Sequence, residues 1–290
     1  MKDNNNKYII RSLERESFDC VADAFLRAFE DYDLTFDRQR LRDMLVRRGA
    51  DMELSFGAFY NGELVSFILN GIADYAGRKT AYDTGTGTVS SARGAGLIDR
   101  IFQWSLPRLR DAGVERYLLE VLTHNTPAIK IYRRMGFEIT RRFDCFAGQA
   151  EDISIDSAEN ENLEISRGRI CDIERLQHFC DFAPSWQNSL SSILRAERTM
   201  ECLIACLSDN TPVGYLVAEP AYGDIAQIAV APDYRRRGVA RRLLRNIISL
   251  HACDNWRVVN IPDDYLPMKL FLQADGFGLT CSQYEMVRSL

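Results

Sequence analysis

A cluster of arginines surrounds one glycine in the second half of the chain, in the stretch QIAVAPDYRRRGVARRLLRNII. Arg235, Arg236 and Arg237 precede Gly238, and the small Ala240 follows it. Glycine lets the backbone approach a ligand closely, and the first N–H groups of a helix are unpaired at the positive end of its dipole. A strand, a glycine loop and a helix start in this order favour an anion site. The arginines add charge and donors that suit a diphosphate.

Three interpretations of this cluster are open: a phosphate-bearing cofactor, nucleic acid, or a solvated helix face. The chain has 290 residues and a formal net charge of −5. Domains that bind nucleic acid are usually basic, so this charge disfavours a general nucleic-acid binder. The helix dipole disfavours cations at a helix start unless an anion binds there, which disfavours a merely solvated face. The pattern therefore favours a phosphate-bearing cofactor.

Cysteine and histidine usage indicates a reducing compartment and no metal centre. The start, MKDNNNKYII, has no apolar segment typical of a signal peptide, and no apolar run approaches the roughly 20 residues that span a bilayer. The eight cysteines are scattered and form no C-x-x-C pair, so we interpret them as free thiols in the cytoplasm. The histidines, His124, His178 and His251, lie far apart, and we expect no metal site.

The order of predicted elements repeats in the two halves of the chain. Each half contains helical apolar spacing, such as ICDIERLQHFCDF in the second, and then a hairpin that turns at Asn61-Gly62 or at Asp209-Asn210. A strand, a glycine loop, an amphipathic helix, a strand, a helix ending in Gly-Phe and a last strand follow in both. The pattern predicts a mixed α/β fold with a mixed sheet, α+β in strict terms, that is present twice.

An acidic stretch separates the two halves. GQAEDISIDSAENENLE, which begins at residue 148, has acidic but no basic residues and few apolar ones. This composition is typical of a solvated linker. We therefore predict an N-terminal domain over residues 1–147, an acidic linker over 148–162 and a C-terminal domain over 163–290.

The arginine loop resembles motif A of the GCN5-related N-acetyltransferases, whose signature is Q/R-x-x-G-x-G/A. The match extends over V-x-P-x-Y-R-x-x-G-x-A-x-x-L-L, from Val230 to Leu244. The resemblance implies that this loop binds the pyrophosphate of acetyl-CoA and that the preceding strand hydrogen-bonds the pantetheine arm. The implied cofactor-binding residues of the second half are Val230, Arg235, Arg236, Arg237, Gly238, Val239 and Ala240.

The first half is similar to the same family in two places. Arg93, Gly94 and Gly96 occupy the loop positions in TVSSARGAGL. The pattern N-x-x-A-I-x-x-Y-x-x-x-G-F, from Asn125 to Phe137, is similar to the family's motif B. Together the resemblances cover roughly residues 8–145 and 163–288, and they imply a tandem acetyltransferase of two such modules.

The two halves depart from the family pattern at different positions. The first loop has Ile98 where the family has Gly or Ala. In the second half, Tyr265 stands at the asparagine position of motif B and Leu272 at the tyrosine position. In the family that tyrosine often protonates the departing CoA thiolate, and the first half keeps it as Tyr132. The more complete cofactor loop and the implied acid thus lie in different halves.

The implied reaction is direct attack of a neutral amine on the thioester. A base must remove a proton, because an amine with a pKa of roughly 10 is mostly protonated at neutral pH. Backbone N–H groups of the cofactor strand can stabilise the oxyanion. The candidate bases are Glu219 and Asp224 in the second half and Asp83 and Glu120 in the first. Each is also compatible with a surface carboxylate, as Tyr132 is with a packed aromatic and Asn125 with a helix N-cap.

We expect an acetyl-CoA-dependent N-acetyltransferase that binds acetyl-CoA in its C-terminal domain and acts on a primary amine of a small molecule or peptide. The segments AFEDYDLTF (28–36) and PSWQNS (184–189) are candidate walls of acceptor pockets, or capping turns. The N-terminal domain is then a second catalytic module or a wall of the acceptor site. Two alternatives stay open: chemistry in the N-terminal domain with Tyr132 as acid, and a non-catalytic acyl-CoA sensor or scaffold. We expect no nucleic-acid or membrane partner.

Overall fold

The computed structural model describes residues 7–31, 37–153 and 163–290. By its internal contacts the chain divides into two units. Unit 1 comprises Met1–Val121, Asn125–Thr140 and Glu285–Leu290, and unit 2 comprises Leu122–His124 and Arg141–Tyr284. The predicted domain boundaries stay predictions, and most of the predicted linker, 154–162, lies outside the described residues.

Unit 1 is a sheet flanked by helices. Its strands, in the spatial order given, are β1 (Ile9–Ser12), β2 (Ala50–Tyr60), β3 (Glu63–Tyr75), β4 (Arg78–Thr88) and β5 (Arg116–Leu122). Its helices are α1 (Phe18–Ala28), α2 (Arg38–Arg48), α3 (Leu97–Asp111) and α4 (Thr126–Arg134), with a 3₁₀ turn at Ser90–Ala92. Neighbouring strands are antiparallel except β4 and β5, which are parallel. The sheet is therefore mixed, as predicted.

Local chemistry explains the elements of unit 1. Asn61 and Gly62 both have positive φ, 51° and 85°, which is the geometry of a tight hairpin turn between β2 and β3. The side chain of Ser17 caps α1 by accepting from the backbone N–H of Cys20. Phe25 of α1 packs with other buried apolar side chains against the sheet, where Phe67 is fully buried.

Unit 2 repeats this plan. Its strands, in spatial order, are β6 (Glu138–Gln149, in unit 2 from Arg141 onward), β11 (Asn255–Pro262), β10 (Asp224–Val230), β9 (Pro212–Glu219), β8 (Glu201–Leu207) and β7 (Leu163–Gly168). Its α-helices are α5 (Leu190–Arg195), α6 (Val239–Leu250) and α7 (Leu266–Ala274). Short 3₁₀ helices lie at Ala150–Asp152, Ile170–Phe179, Trp186–Asn188, Pro220–Tyr222 and Pro232–Tyr234. The last strand, β12 (Gly278–Ser289), is a neighbour of β6 and belongs to unit 2 as far as Tyr284.

Both faces of the unit 2 sheet are covered. Leu243 and Ile247 of α6 are buried with Trp256 on one face. On the other face Ile193 of α5 is buried with Tyr215 of β9. Burial on both sides explains why the central strands of this unit are nearly continuous runs of apolar residues.

The helix predicted over ICDIERLQHFCDF is a 3₁₀ helix, Ile170–Phe179, rather than an α-helix. Its buried apolar residues are Ile170, Ile173, Leu176 and Phe179, which recur at every third position. That repeat matches the 3.0 residues per turn of a 3₁₀ helix, so one face stays buried along its length. Within the described residues, no helix is long and apolar enough to cross a membrane.

Candidate acyl-CoA site

A cleft of about 610 Å³ opens in unit 2 beside the start of α6. Its walls include Ala226–Val230 of β10, residues of β11 such as Asn260, and Gly238 at the start of α6. The cleft begins where two parallel strands separate: β10 and β11 pair only at Asp224 with Arg257 and at Ile225 with Val258. Beyond this fork the edges of the two strands diverge, and an extended ligand can lie between them.

The start of α6 has the geometry of an anion cradle. Gly238 is the N-cap of α6 with φ of +82°, a backbone conformation that favours glycine. No atom lies within 4 Å of the position that a Cβ would occupy there, so the backbone is open to a ligand. Val239 and Ala240 both line the cleft, and Val239 is buried. This is the geometry of an anion site, and the binding of a phosphate there stays a prediction.

Arg235 is bonded within the protein. Its Nε donates to the carbonyl of Val230 (3.0 Å) and one terminal nitrogen donates to the carbonyl of Phe179 (3.2 Å). The same nitrogen lies 3.0 Å from a carboxylate oxygen of Asp181. The guanidinium thus ties the end of β10 and the cradle loop to the segment that follows the 3₁₀ helix, and its predicted role toward a diphosphate stays a prediction.

The other arginines of the cluster differ in their surroundings. Arg236, with φ of +62°, is exposed and lines the cleft. The guanidinium carbon of Arg237 lies 5.2 Å from the ring centroid of Tyr234, in cation–π range. Arg241 forms a two-point ion pair with Asp275, at 2.6 and 3.0 Å, and the Asp275 side chain is fully buried. This pair joins the first turn of α6 to the end of α7, and sequence reasoning missed it.

Asn188 bridges the fork of unit 2. Its side-chain nitrogen donates to the carbonyl of Val259 on β11 (2.9 Å), and its own carbonyl accepts from the side chain of Gln227 on β10 (2.6 Å). Asn188 is 4% exposed. It therefore satisfies polar groups of both strands where their ladder ends. The sequence prediction named the PSWQNS turn as a wall but did not identify this role.

The predicted bases of unit 2, Glu219 and Asp224, are not among the residues that line the cleft. Glu219 accepts a hydrogen bond from the hydroxyl of Thr199 (2.6 Å), and Asp224 lies 3.6 Å from Nε of Arg257. Asp224 is buried at the first position of β10, and Glu219 is buried opposite it at the last position of β9. Their assignment as bases stays a prediction.

Asp181 is a carboxylate that does line the cleft. Besides its ion pair with Arg235, it accepts a hydrogen bond from the hydroxyl of Tyr265. Burial and that bond to the carboxylate raise the pKa of Tyr265 to about 12, so the phenol is neutral at pH 7. Tyr265 lines the cleft at the family's asparagine position, whereas Leu272, at the tyrosine position, is buried.

The loop of unit 1 has the same construction. Nε of Arg93 donates to the backbone carbonyl of Thr88 (3.3 Å), and one terminal nitrogen donates to the backbone carbonyl of Ala28 (3.0 Å). The other terminal nitrogen lies 2.8 Å from a carboxylate oxygen of Asp31. Gly94 has φ of +79°. Gly96 caps α3 with φ of +65° and also has open space beside it.

The fork of unit 1 contains a carboxylate. β4 and β5 pair from Thr80 to Tyr82, and Asp83 is the next residue of β4. Burial raises the pKa of Asp83 to about 6. Hydrogen bonds from the Thr86 hydroxyl and the Gly85 N–H oppose this rise. The residue is still partly accessible. Burial and the charge of Asp83 raise the pKa of Tyr132, which places both groups in one environment.

The remaining predicted residues of unit 1 are accounted for locally. The side chain of Asn125 accepts from the N–H of Ala128 (3.2 Å), as an N-cap of α4 does. Glu120 is hydrogen-bonded to the phenol of Tyr82, whose pKa burial raises strongly. Of the candidate wall 28–36, residues 32–36 lie outside the described residues. Among those described, no cluster of His, Cys, Asp and Glu could hold a metal ion.

The family model described as acetyltransferase (GNAT) family matches residues 10–137 and 169–261. These two segments make up more than half of the chain, and one lies in each of its halves. The chain belongs to the GNAT acetyltransferase family.

Known proteins of this family resemble the chain to different extents. YdgE of Bacillus subtilis strain 168, an uncharacterized N-acetyltransferase, is 35% identical over 63 residues, which are 22% of this chain and 40% of that protein. The chain thus matches less than half the length of this curated relative. A GCN5-related N-acetyltransferase from Sphaerobacter thermophilus has a TM-score of 0.72 at 15% identity, covering 98% of this chain and 96% of that one. A tandem GNAT protein from the clavulanic acid biosynthesis pathway has a TM-score of 0.75 at 12% identity, covering 97% and 98%. The predicted tandem fold is confirmed.

Proposed function

We propose that this protein transfers an acetyl group from acetyl-CoA to a primary amine of a small molecule or peptide in the cytoplasm, with acetyl-CoA bound in the cleft of unit 2. The observation that carries the proposal is the open N-cap of α6 at Gly238, which faces a cleft of about 610 Å³. Unpaired N–H groups at that helix start would hold the pyrophosphate.

The strands of the fork supply the rest of the binding geometry. The edge of β10 from Ala226 to Val230 would hydrogen-bond the pantetheine arm, because its pairing with β11 ends at Ile225. Arg236 adds an exposed positive charge beside the pyrophosphate. Arg235 contributes by holding the loop in shape rather than by a free charge, since Asp181 already neutralises it.

The chemistry in this cleft would be direct attack by a neutral amine. Asp181 is engaged with Arg235 and Tyr265, so it is poorly placed to accept a proton directly. The ammonium proton would leave through water, and the CoA thiol is acidic enough to depart without the acid that Leu272 cannot supply. This requirement predicts activity that rises with pH as more of the amine becomes neutral.

A second candidate places the chemistry in unit 1. Asp83 lies where β4 and β5 separate, is partly accessible, and has a pKa of about 6, within the range of a general base. Burial and the charge of Asp83 raise the pKa of Tyr132 above its ordinary value, so its phenol stays protonated and can serve as an acid. Unit 1 therefore combines a base and an acid of the implied types, with Gly96 as its own open N-cap.

Calorimetry with CoA and acetyl-CoA separates these candidates. Gly238→Glu places a carboxylate and added bulk in the cradle of unit 2, and Gly96→Glu is its matched control in unit 1. Both glycines are N-caps with positive φ and open space beside them, so the backbone strain of the two substitutions is similar. We expect binding that Gly238→Glu abolishes and Gly96→Glu leaves within about twofold.

Each other result has a definite meaning. Loss of binding only with Gly96→Glu would assign the cofactor to unit 1 and overturn the first proposal. Binding without release of CoA thiol, over a panel of amines that includes an amino sugar, a polyamine and a peptide N-terminus, would favour the sensor. Absence of binding by the intact chain, beside an active acetyltransferase as control, would refute all three.

A further inference from the structure

Two cysteines of unit 2 meet across neighbouring strands. Cys145 lies in β6 and Cys281 in β12. Their thiols are hydrogen-bonded to each other. The hydroxyl of Thr280 also donates to the carbonyl of Cys145 (3.0 Å), which holds the two strands together at this point. The two thiols are therefore already neighbours in the folded protein.

The two thiols have different surroundings. Cys145 is 3% exposed, whereas Cys281 is partly exposed. The hydrogen bond from Cys145 lowers the pKa of Cys281. A hydrogen bond from Thr280 and the charge of His124 act in the same direction, whereas burial and the charge of Asp144 oppose them. The same bond, together with burial, raises the pKa of Cys145. An accessible thiolate beside a buried thiol is the arrangement of a reactive cysteine and its resolving partner.

Four of the other cysteines have a raised pKa. Burial raises the pKa of Cys20, Cys180, Cys202 and Cys206, so these thiols are less reactive. Cys171 is exposed and serves as an internal reference for simple accessibility.

We propose that Cys281 and Cys145 form a dithiol that a peroxide oxidises reversibly to a disulfide. The thiolate of Cys281 attacks one oxygen of hydrogen peroxide, the O–O bond breaks, and hydroxide leaves and becomes water by taking a proton. The sulfenic acid that remains on Cys281 is then attacked by the sulfur of Cys145. The S–S bond forms, and the displaced hydroxide takes the proton of Cys145 as a second water. Two thiols thus lose two electrons to one peroxide molecule.

This pair is connected to the wall of the cleft. Sγ of Cys145 contacts the side-chain oxygen of Asn260 (3.8 Å), and Gln283 donates to both, at 3.4 Å to the sulfur and 3.2 Å to the oxygen. The side-chain nitrogen of Asn260 donates to the hydroxyl of Ser185 (3.1 Å). Asn260 and Ser185 both line the cleft. A disulfide would move the sulfur of Cys145 toward Cys281 and would therefore change its contact with Asn260, a residue on that wall.

Peptide mapping tests the proposal on the intact protein. The reduced protein is freed of reductant, treated with one equivalent of hydrogen peroxide, quenched with N-ethylmaleimide and digested without reduction. Mass spectrometry is expected to find a peptide in which Cys145 is linked to Cys281, and dithiothreitol is expected to remove it. Cys171→Ser is expected to give the same linked peptide. In Cys145→Ser, dimedone is expected to capture a sulfenic acid on Cys281.

The wild-type protein alone can overturn the proposal, so a variant that fails to fold does not decide it. The proposal fails if peroxide gives no Cys145–Cys281 peptide while Cys171 is oxidised. It also fails if iodoacetamide modifies Cys281 of the reduced protein no faster than Cys171 at pH 7. Neither result depends on acetyl-CoA, so they leave the proposed acetyltransferase function untouched.

Discussion

Arg235 and Asp181 form an ion pair of 3.0 Å. The pair fixes the loop before α6 to the segment that follows the 3₁₀ helix Ile170–Phe179. Arg93 and Asp31 form the corresponding pair in unit 1, at 2.8 Å. In both units the arginine also donates to the carbonyl of the last residue of a strand, Thr88 of β4 or Val230 of β10. The arginine of the motif therefore has the same positioning role in both copies of the loop.

Arg235→Lys is expected to weaken CoA binding about tenfold, which corresponds to ~1.4 kcal/mol. A lysine keeps the charge, but a single ammonium cannot reproduce the fork of bonds to Val230, Phe179 and Asp181. Calorimetry measures the change. The matched variant Arg93→Lys alters the corresponding bonds in unit 1, and we expect it to leave the affinity within about twofold. Equal losses in the two variants would contradict the assignment of the cofactor to unit 2.

Asp275→Asn is expected to lower the free energy of unfolding by roughly 1–3 kcal/mol. The fully buried carboxylate of Asp275 accepts two bonds from Arg241, and an amide retains one acceptor oxygen and adds a donor without a designed partner. Urea denaturation measures the effect, with Asp264→Asn at an exposed position as the control. A change as small as the control's would mean that the pair contributes little to stability.

Asp83→Asn is expected to change the pH dependence of stability. The folded-state pKa of Asp83, about 6, lies above the ordinary value of 3.8, so the folded chain binds this proton more tightly than the unfolded chain. The contribution is present at low pH and is lost as the pH rises from about 4 to about 6. Relative to the variant, the wild type is therefore expected to lose roughly 1–2 kcal/mol over that range, after allowance for its partial exposure.

Urea titrations of both proteins at pH 4.0, 5.0, 6.0 and 7.0 supply the comparison. Taking the difference cancels the other titrating groups. Parallel curves would show that the pKa of Asp83 is not raised, and would remove the main support for a base in unit 1.

Asn188→Ala is expected to lower the free energy of unfolding by roughly 1–3 kcal/mol and to weaken CoA binding several-fold. The substitution removes the donor to the backbone carbonyl of Val259, a half-buried residue of β11. Asn188→Asp is a useful second variant, since it has similar volume but lacks the same donor. If both variants bind CoA as the wild type does, the bridge stabilises the fold without shaping the cleft.

Features that depend on a few adjacent residues were predictable from the sequence. The hairpin turn at Asn61-Gly62, the glycine N-caps of α3 and α6 and the cap of α4 at Asn125 all appear where the pattern predicts them. The helix predicted over ICDIERLQHFCDF is present, and it is a 3₁₀ helix because its apolar residues repeat every three positions.

Features that depend on strand register were not predictable in the same way. Asp83 was one of several candidate bases, and only the structure shows that it follows the last pair of β4 with β5 and that burial raises its pKa to about 6. Cys145 and Cys281 looked like scattered thiols, because nothing local in a sequence shows that residues so far apart occupy neighbouring strands.

The sequence by itself determined the family, the repeated α/β plan and the position of the glycine N-caps of α3 and α6, since each rests on short-range patterns of glycine, arginine and apolar residues. The tertiary structure decided which polar groups have partners. In the folded chain Arg235 forms an ion pair with Asp181, and Asn188 bridges β10 and β11. Glu219 and Asp224 are not among the residues that line the cleft. The physical reason is that ion pairs, pKa shifts and thiol contacts depend on distances between segments, and those distances exist only after the strands have paired and the helices have packed on them.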